Sequence, residues 1–204
     1  CVQTVITATN CLIVNNNNGI LSLNDSNGYS LVQNCVADSN QIGIGSGFLV
    51  SNCTMRYNQI GVQFAYTVEN CIIANNQIGA YFQGGPGTMT NCIIDANATG
   101  ILSWGSGSRA NNINNCYITN NGVGIIDSLC VGSLITRNNI ENNGIGIKLQ
   151  TYQDSIVCNK ICNNTSYGLK YIGTSNVIVA DNHWCTVDSV STSGIVYDGY
   201  DNIG

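Results

Sequence analysis

The sequence predicts an all-β fold: a single-stranded, right-handed parallel β-helix (β-solenoid) of about eight to nine coils, with three strands per coil. Three observations lead to this prediction. An Asn-Cys dipeptide recurs every 18–24 residues, a glycine followed by an aliphatic residue or alanine recurs in step with it, and each repeat holds three short stretches of alternating apolar and polar residues.

The Asn-Cys dipeptide marks one corner of each repeat. Its cysteines are spaced by 24, 18, 18, 21 and 24 residues, the predicted length of one coil. Asparagine suits a tight corner because it tolerates left-handed backbone and can bond exposed backbone groups. The six copies are Asn10-Cys11, Asn34-Cys35, Asn52-Cys53, Asn70-Cys71, Asn91-Cys92 and Asn115-Cys116.

The glycine marker continues where the Asn-Cys marker fades. It occurs at Gly19, Gly43, Gly61, Gly79, Gly100, Gly124, Gly146 and Gly168. The repeats change length only between the strand that starts at this glycine and the next Asn-Cys. Residues 83–87 and 104–108 in this interval are rich in glycine and serine and indicate loops.

Each repeat contains three short strands, one before the Asn-Cys corner, one after it, as in 71–74, and one at the glycine, as in 61–64. The first strands centre on Val32, Val50, Val68, Met89, Ile113, Ile135, Ile156 and Val179. No repeat can bury its apolar face alone, so the repeats must stack. The pattern lacks the 3.6-residue period of helical repeats and the hairpin signals of an antiparallel sandwich. Residues 1–204 are therefore predicted to form one domain, with 181–204 as its last coil.

The repeats 70–79 and 137–147 resemble those of right-handed parallel β-helix proteins, a group similar to the pectate-lyase superfold, and the resemblance covers essentially the whole chain. Residues 181–188 resemble the frequent last coil of that group, Asn-Tyr-Trp-Gly-Thr-x-Asp, with His183 in place of the tyrosine and Cys185 in place of the glycine. The resemblance implies a scaffold and not a reaction, because this superfold hosts lyases, hydrolases, epimerases, adhesins and inert stalks.

Stacking in register places the Asn-Cys cysteines in one inward column, which asparagines continue in later coils. The slot resembles the buried asparagine ladder of pectate-lyase-like folds, and cysteine can fill it as a small hydrophobe with a weak donor. The predicted ladder is Cys11, Cys35, Cys53, Cys71, Cys92, Cys116, Asn138, Asn159 and Asn182. A linear column does not converge on one point, so we expect reduced thiols and no metal or other cofactor.

Two cysteines near the end of the chain differ from this column. Cys162 and Cys185 follow Ile161 and Trp184 at equivalent outward positions, which makes them the best candidates for an intrachain disulfide. Cys1 either bonds another subunit or is simply the first residue of the sequence. Glycosylation sequons occur at Asn24, Asn52, Asn97, Asn163 and Asn164, of which Asn24 and Asn97 are predicted to be the most loop-like.

The sequence predicts no catalytic residue. Glycoside hydrolysis needs two carboxylates on one surface, and the acids here do not occupy matching positions in adjacent coils. Asp127 falls in an inward slot one coil after Ser103, where we expect a hydrogen bond to a neighbour or an outward bend. The one patch of both signs, Lys148 and Lys170 beside Glu141 and Asp154, is expected to be solvated surface charge rather than a lyase site.

Composition excludes further classes of function. A net charge of −5 and 8% charged residues exclude a nucleic-acid binder that relies on phosphate neutralisation. The sequence also lacks the roughly 18 consecutive apolar residues of a membrane span. Aromatic residues suited to sugar binding, including Tyr66, Tyr81 and Trp104, could edge a groove beside the variable loops.

The ends of the repeat array favour self-association. A regular strand pattern starts at Val2, and residues 194–204 stop without a polar cap, so unpaired strand edges are expected at both ends. The leading hypothesis is a non-enzymatic structural protein, extracellular or on the cell surface, that stacks head to tail into a homo-oligomer or filament. The alternative is a carbohydrate-binding or polysaccharide-cleaving module, such as a lyase or hydrolase.

Overall fold

The chain winds into a right-handed parallel β-solenoid whose three sheets form the three sides of each coil. The structure is a computed structural model that describes residues 6–21, 30–83, 87–107, 110–150, 153–173, 176–185 and 194–197. Strands are numbered in chain order, and every third strand joins the same sheet. All described strand pairs are parallel, and they stay in register from one coil to the next except for a shift between Trp104 and Gly107 where β15 pairs with β18.

Sheet A holds the strands before the Asn-Cys corner: β1 (Thr7–Thr9), β4 (Ser30–Gln33), β7 (Phe48–Ser51), β10 (Thr67–Glu69), β13 (Thr88–Thr90), β16 (Asn112–Asn114), β19 (Leu134–Thr136), β22 (Ser155–Val157) and β25 (Ile178–Ala180). Sheet B follows that corner: β2 (Leu12–Val14), β5 (Val36–Asp38), β8 (Thr54–Arg56), β11 (Ile72–Ala74), β14 (Ile93–Asp95), β17 (Tyr117–Thr119), β20 (Asn139–Glu141) and β23 (Lys160–Cys162).

Sheet C begins beside the repeated glycine: β3 (Asn18–Leu21), β6 (Ile42–Gly45), β9 (Ile60–Gln63), β12 (Ile78–Gln83), β15 (Thr99–Gly107), β18 (Val123–Cys130), β21 (Ile145–Leu149), β24 (Tyr167–Tyr171) and β26 (Val196–Tyr197). The three strands per coil confirm the predicted repeat. Across the described ranges, no helix combines the length and apolarity needed to cross a membrane.

The number of coils is slightly smaller than predicted. Strands β1–β24 form eight sets of three, and from the first set to the last the described solenoid makes about seven turns. After β24, sheets A and C each gain one more strand. Sheet B gains only an isolated bridge between Lys160 and His183 among the described residues, and the last coil is therefore partial.

Inward side chains from seven strands of each sheet fill the interior, and some of these strands contribute two. Sheet A contributes Val32, Val50, Val68, Met89, Ile113, Ile135 and Ile156, and sheet B contributes Ala37, Met55, Ile73, Ile94, Ile118, Ile140 and Ile161. Sheet C contributes Ile44, Val62, Ala80, Ile101, Ile125, Ile147 and Leu169. All are buried, so each coil is stabilised by the coils on either side rather than by itself.

The glycine marker is explained by close backbone approach. A Cβ atom on Gly61 would lie 2.6 Å from the Gly79 carbonyl oxygen of the next coil and 3.1 Å from Asn76 Nδ2. The same clash with the next coil's carbonyl recurs at Gly79, Gly100, Gly124 and Gly146. Successive coils can therefore stack here only if the side chain is a hydrogen atom.

The corner asparagines adopt the left-handed backbone that the sequence predicts for them. Positive φ angles recur at Asn10, Asn34, Asn52, Asn70, Asn91 and Asn115. The same corner then continues with three other residue types in the left-handed region, Arg137 (φ 55°), Cys158 (φ 59°) and Asp181 (φ 56°). Arg137 and Cys158 differ most from the earlier corners, because asparagine, aspartate and glycine adopt this conformation more readily than arginine or cysteine.

A second asparagine ladder occupies the corner between sheets B and C. It runs through Asn16, Asn40, Asn58, Asn76, Asn97, Asn121, Asn143 and Asn164, each amide oxygen accepting the backbone N–H of its predecessor at 2.8–3.0 Å. The Asn97 side chain is 2% exposed and donates to Ile73 O and Asn121 Oδ1. This corrects its assignment as a loop-like glycosylation site, since a glycan would require the ladder to open.

Candidate functional site

The outer face of sheet B carries one ordered row of exposed and half-buried side chains. In register, its first positions are Leu12, Val36, Thr54, Ile72, Ile93, Tyr117, Asn139 and Lys160, and His183 extends the row through its bridge to Lys160. The row is mostly apolar as far as Ile93 and turns aromatic and then polar from Tyr117 onward. Tyr117 is 58% exposed, so most of its ring is open to solvent.

Beside this change in character lies a groove of about 380 Å³ at the corner between sheets A and B. It is lined by Asn115, Cys116, Tyr117, Arg137, Asn138, Asn139, Cys158 and Lys160. The lining spans three successive coils, because Tyr117, Asn139 and Lys160 occupy equivalent positions one coil apart. The groove therefore presents a new polar or aromatic side chain at each rise of about 4.8 Å along the solenoid axis.

The groove is cationic on a chain of net charge −5. Arg137 is exposed and makes no ion pair with any residue that the structure describes. Lys160 Nζ is 2.8 Å from Glu141 Oε2, so part of its charge is balanced. Asp181 follows Cys158 in the corner column but does not line the groove.

Glu141 is fixed beside the groove from two sides. The hydrogen bond from Lys160, together with one of 2.9 Å from Asn139 Nδ2, holds the pKa of Glu141 below its usual value. The carboxylate is therefore ionised at neutral pH and orients the Lys160 ammonium and the Asn139 amide. No carboxylate lines the groove itself, so the pair of acids needed for glycoside hydrolysis is not assembled from its lining residues.

The mixed-charge patch expected to be solvated surface charge does not form as a unit, and its Asp154 is buried instead of solvated. Lys148 and Lys170 do stack in register on the outer face of sheet C. Glu141 instead pairs with Lys160 on sheet B, and Asp154 is fully buried at the corner that precedes sheet A. Lys170 Nζ lies 5.2 Å and 5.3 Å from the ring centres of Tyr167 and Tyr197, which gives it an aromatic environment rather than an acidic one.

The predicted ladder residues lie in one hydrogen-bonded column. The backbone N–H of each of Cys11, Cys35 and Cys53 donates to the next coil's sulfur at 3.4 Å. Each thiol donates to the carbonyl two residues earlier, as Cys53 does to Ser51 O at 3.1 Å. Asn138, Asn159 and Asn182 continue the column with amide oxygens that accept the same kind of N–H bond at 2.9 Å.

Neighbouring thiols of this column shift one another's pKa values in opposite directions, and the hydrogen bond with Cys92 lowers the pKa of Cys116. The hydrogen-bonded Cys116 thiol and burial raise the pKa of Cys92 to about 12. The Cys71 thiol and burial likewise raise the pKa of Cys53. Both sulfurs stay protonated at neutral pH, and thiolate chemistry requires the opposite.

The remaining predicted positions divide into described and undescribed residues. Cys162 and Cys185 are joined by a disulfide with a Cα–Cα separation of 5.5 Å. Cys158 is exposed and unpaired, and Cys130 is buried and unpaired. Cys1 and the predicted glycosylation site Asn24 lie outside the described residues. Among the other sequons, Asn52 and Asn163 are exposed at left-handed corners.

Asp127 is a buried carboxyl that differs from its expected setting. It lies between Ser103 and Leu149 in the inward column of sheet C and is fully buried. Neither of its oxygens, nor Ser103 Oγ, has a hydrogen-bond partner among the described residues. Burial first, and the Asp154 carboxyl second, raise the pKa of Asp127 to about 7. The expected outward bend is absent, because the column's register holds the side chain inward, where the neighbouring Ser133 and Cys130 partly offset the rise in its pKa.

Sequence patterns identified the ladder but missed the groove. Tyr66, Tyr81 and Trp104 pointed to the variable-loop side of sheet C, whereas the groove lies at the opposite, regular corner. The sequence did contain one indication of the groove: at the corner before sheet B, Arg137 and Cys158 replace the asparagines of the earlier repeats.

Comparison with known proteins agrees with this geometry. The family profile described as "Right handed beta helix region" matches residues 61–203. No curated protein matches the sequence. Among solved structures, the chain is similar to the A-module of mannuronan C-5 epimerase AlgE4 from Azotobacter vinelandii, with a TM-score of 0.64 and 17% identity over 78% of this chain. The match covers 56% of that module's length. At this level of identity the similarity shows the fold alone. With the profile matching well over half of its residues, the chain belongs to the right-handed β-helix family.

Proposed function

We propose that this protein binds an acidic polysaccharide of the polyuronate type, outside the cell, in the groove between sheets A and B. The observation that supports this most directly is Arg137, an exposed guanidinium without an ionic partner in the described residues, set in the groove wall. A guanidinium matches the planar geometry of a carboxylate and can donate two parallel hydrogen bonds to it.

The other lining groups suit the remaining surface of a sugar. The exposed Tyr117 ring offers an apolar face for a pyranose and a hydroxyl at its edge. Asn115 and Asn139 add polar amides to the lining, although each already donates to a neighbour, Asn91 Oδ1 and Glu141 Oε1, and Lys160 adds a second cation. Because equivalent positions repeat at every coil, a linear polymer lying along the axis would meet several of these contacts in succession.

The backbone at the groove is consistent with a functional demand. A non-glycine residue in the left-handed region costs on the order of 1 kcal/mol or more, and asparagine lowers that cost. The chain uses asparagine at this corner as far as Asn115 and then places Arg137 and Cys158 there. Ligand binding by Arg137 would explain why the more strained residue is used.

Binding rather than cleavage is proposed because the lining contains no carboxylate. The solved structure with the similar fold is named for a reaction on mannuronan, which makes that polymer one sensible probe. End-to-end stacking into a filament remains a prediction from the sequence. We place it second, because much of both ends, residues 1–5, 186–193 and 198–204, lies outside the described residues.

The test is direct binding of the whole chain to polygalacturonate, mannuronan and neutral dextran by isothermal titration calorimetry. We expect both polyuronates to bind and dextran not to bind. Arg137→Ala should weaken binding about tenfold, or about 1.4 kcal/mol. Tyr117→Ala should weaken it several-fold.

Arg56→Ala is the matched control. Arg56 is also an exposed cation at the edge of sheet B, but it lies away from the groove and is already paired with Asp38 at 2.7 Å. The Arg56→Ala substitution removes the same formal charge as Arg137→Ala and should change the affinity for polyuronates less than twofold. Equal binding of dextran, or equal losses for Arg56→Ala and Arg137→Ala, would contradict the proposal.

A further inference from the structure

The last described coil brings together three metal-binding side chains that the sequence does not group. Cys162 ends β23, and His183 and Cys185 lie one coil later at the end of the sheet B row. One ligand atom from each of the three lies within 4.8 Å of the other two. Cys162 is buried, whereas His183 and Cys185 are exposed, so the cluster opens to solvent on one side.

The backbone holds these residues in place independently of the disulfide. His183 N donates to Asn159 O at 2.8 Å, and Ile161 N donates to His183 O at 2.8 Å. The adjacent Asn182 is part of the ladder, through its bonds to Asn159. Reduction of the disulfide therefore leaves the segments just before the two cysteines bonded to each other through Ile161 and His183.

The geometry is close to that of a tetrahedral metal site. Zinc binds thiolate at about 2.3 Å and imidazole nitrogen at about 2.0 Å, so its ligand atoms lie about 3.5 to 4 Å apart. Ligand atoms already within 4.8 Å of one another need only small side-chain rotations to reach those separations. Two thiolates and one imidazole favour a thiophilic ion such as Zn²⁺ over Ca²⁺ or Mg²⁺.

We propose that Cys162, His183 and Cys185 form a redox-gated zinc site. In the oxidised protein the S–S bond uses both sulfurs, and no metal binds. A dithiol reductant transfers two electrons and two protons, breaks that bond, and becomes a disulfide itself. Zn²⁺ then displaces the two thiol protons and binds both thiolates and one His183 nitrogen. The exposed side leaves the fourth position to water.

The other cysteines do not compete as a group. The ladder thiols form a line rather than a cluster, and the pKa of Cys92 is raised to about 12. Within the described part of the chain, only Cys162, His183 and Cys185 converge as three histidine, cysteine or acidic ligands. Cys158 is exposed but belongs to no such group, which makes Cys158→Ser a suitable control.

The test uses the full chain, oxidised or reduced with a phosphine and kept anaerobic. Co²⁺ is titrated first as a spectroscopic probe, and Zn²⁺ is then added to displace it. The reduced protein should bind one Co²⁺ with a sulfur-to-cobalt charge-transfer band, and the oxidised protein should not. His183→Gln should weaken binding at least tenfold with the disulfide still able to form, whereas Cys158→Ser should leave affinity unchanged.

A second measurement keeps the proposal testable if reduction alone loosens the structure. Zn²⁺ should protect Cys162 and Cys185, but not Cys158, from alkylation as mapped by mass spectrometry, and should raise the midpoint of thermal unfolding of the reduced protein. Equal binding by the oxidised protein would overturn the proposal. So would the absence of a one-to-one complex after reduction, unchanged affinity in His183→Gln, or a lack of selective protection.

Discussion

The backbone N–H of Cys116 donates to Asn138 Oδ1 at 2.9 Å, and at this bond a column of thiols becomes a column of amides. The cysteine and asparagine side chains play the same hydrogen-bonding role on either side of this junction. Each accepts a backbone N–H from the preceding coil and donates to a carbonyl, as Cys116 does to Asn114 O and Asn138 does to Ile113 O. Cysteine is thus a shorter substitute for asparagine in this slot.

This equivalence predicts unequal costs for two substitutions at Asn138. Asn138→Ala leaves the Cys116 N–H and the Ile113 carbonyl without their bonds in a buried corner, so it should lower the free energy of unfolding by about 3 kcal/mol. Asn138→Cys can restore an acceptor and a donor, and should cost about 1 kcal/mol. Urea denaturation followed by circular dichroism measures both values, and equal costs would show that packing rather than hydrogen bonding governs the slot.

Because Asp127 is buried, we expect the free energy of unfolding to fall as the pH rises. Burial and the nearby Asp154 raise its pKa in the folded state from 3.8 to about 7. The unfolded chain therefore releases this proton first, and the folded state loses stability between about pH 4 and pH 7. Since one pKa unit corresponds to about 1.4 kcal/mol, the total loss is about 4 kcal/mol.

Asp127→Asn removes the ionisation while keeping the shape of the side chain. We expect unfolding of this variant to depend less on pH over that window, and we expect it to be more stable than the parent chain at pH 8. The measurement is urea unfolding at a series of pH values. A parent protein that gains stability from pH 4 to 7, with the same slope in the variant, would contradict the raised pKa.

Gly61 predicts a steric limit on the stacking of coils. Its Cβ would lie 2.6 Å from the Gly79 carbonyl oxygen, which belongs to the backbone and cannot rotate away. Gly61→Ala should therefore destabilise the fold by about 2 kcal/mol, in the range of overpacked cores. Gly194→Ala is the control, since no atom of the described residues lies within 4 Å of the position its Cβ would occupy. Thermal unfolding compares the two, and equal midpoints would refute the steric explanation.

The repeat made the fold predictable, because periodic residues report periodic contacts. The inward positions of Val32 and Ile73, and the close approach at the glycines, follow from strand alternation and register alone. The coil count was slightly high because the final repeat contributes only part of its strands. His183 shows the limit of such reasoning: its neighbours in space are one coil away, and no spacing rule marked it as a partner of Cys162.

The groove was unpredictable for a related reason. Arg137 and Lys160 are 23 positions apart and belong to different sheet positions, so neither a short motif nor a single column links them. Their proximity depends on the backbone path at the corner between sheets A and B, where Arg137 and Cys158 adopt left-handed backbone angles. The sequence shows that Arg137 and Cys158 replace the corner asparagines. The position of their side chains relative to Lys160 could be seen only in the folded structure.

Glu141 provides the last prediction, because it restrains a cation beside the groove. Its carboxylate balances Lys160 at 2.8 Å, so Glu141→Gln should free that charge and raise affinity for polygalacturonate two- to fivefold at low salt. Asp38→Asn is the matched control: it frees Arg56 in the same way and changes the net charge equally, but away from the groove. Calorimetry at two salt concentrations separates the cases, since a local effect should exceed the control's even at 0.15 M salt, where distant charges are screened over about 8 Å. Equal effects of the two variants would mean that net charge, and not the groove, attracts the polymer.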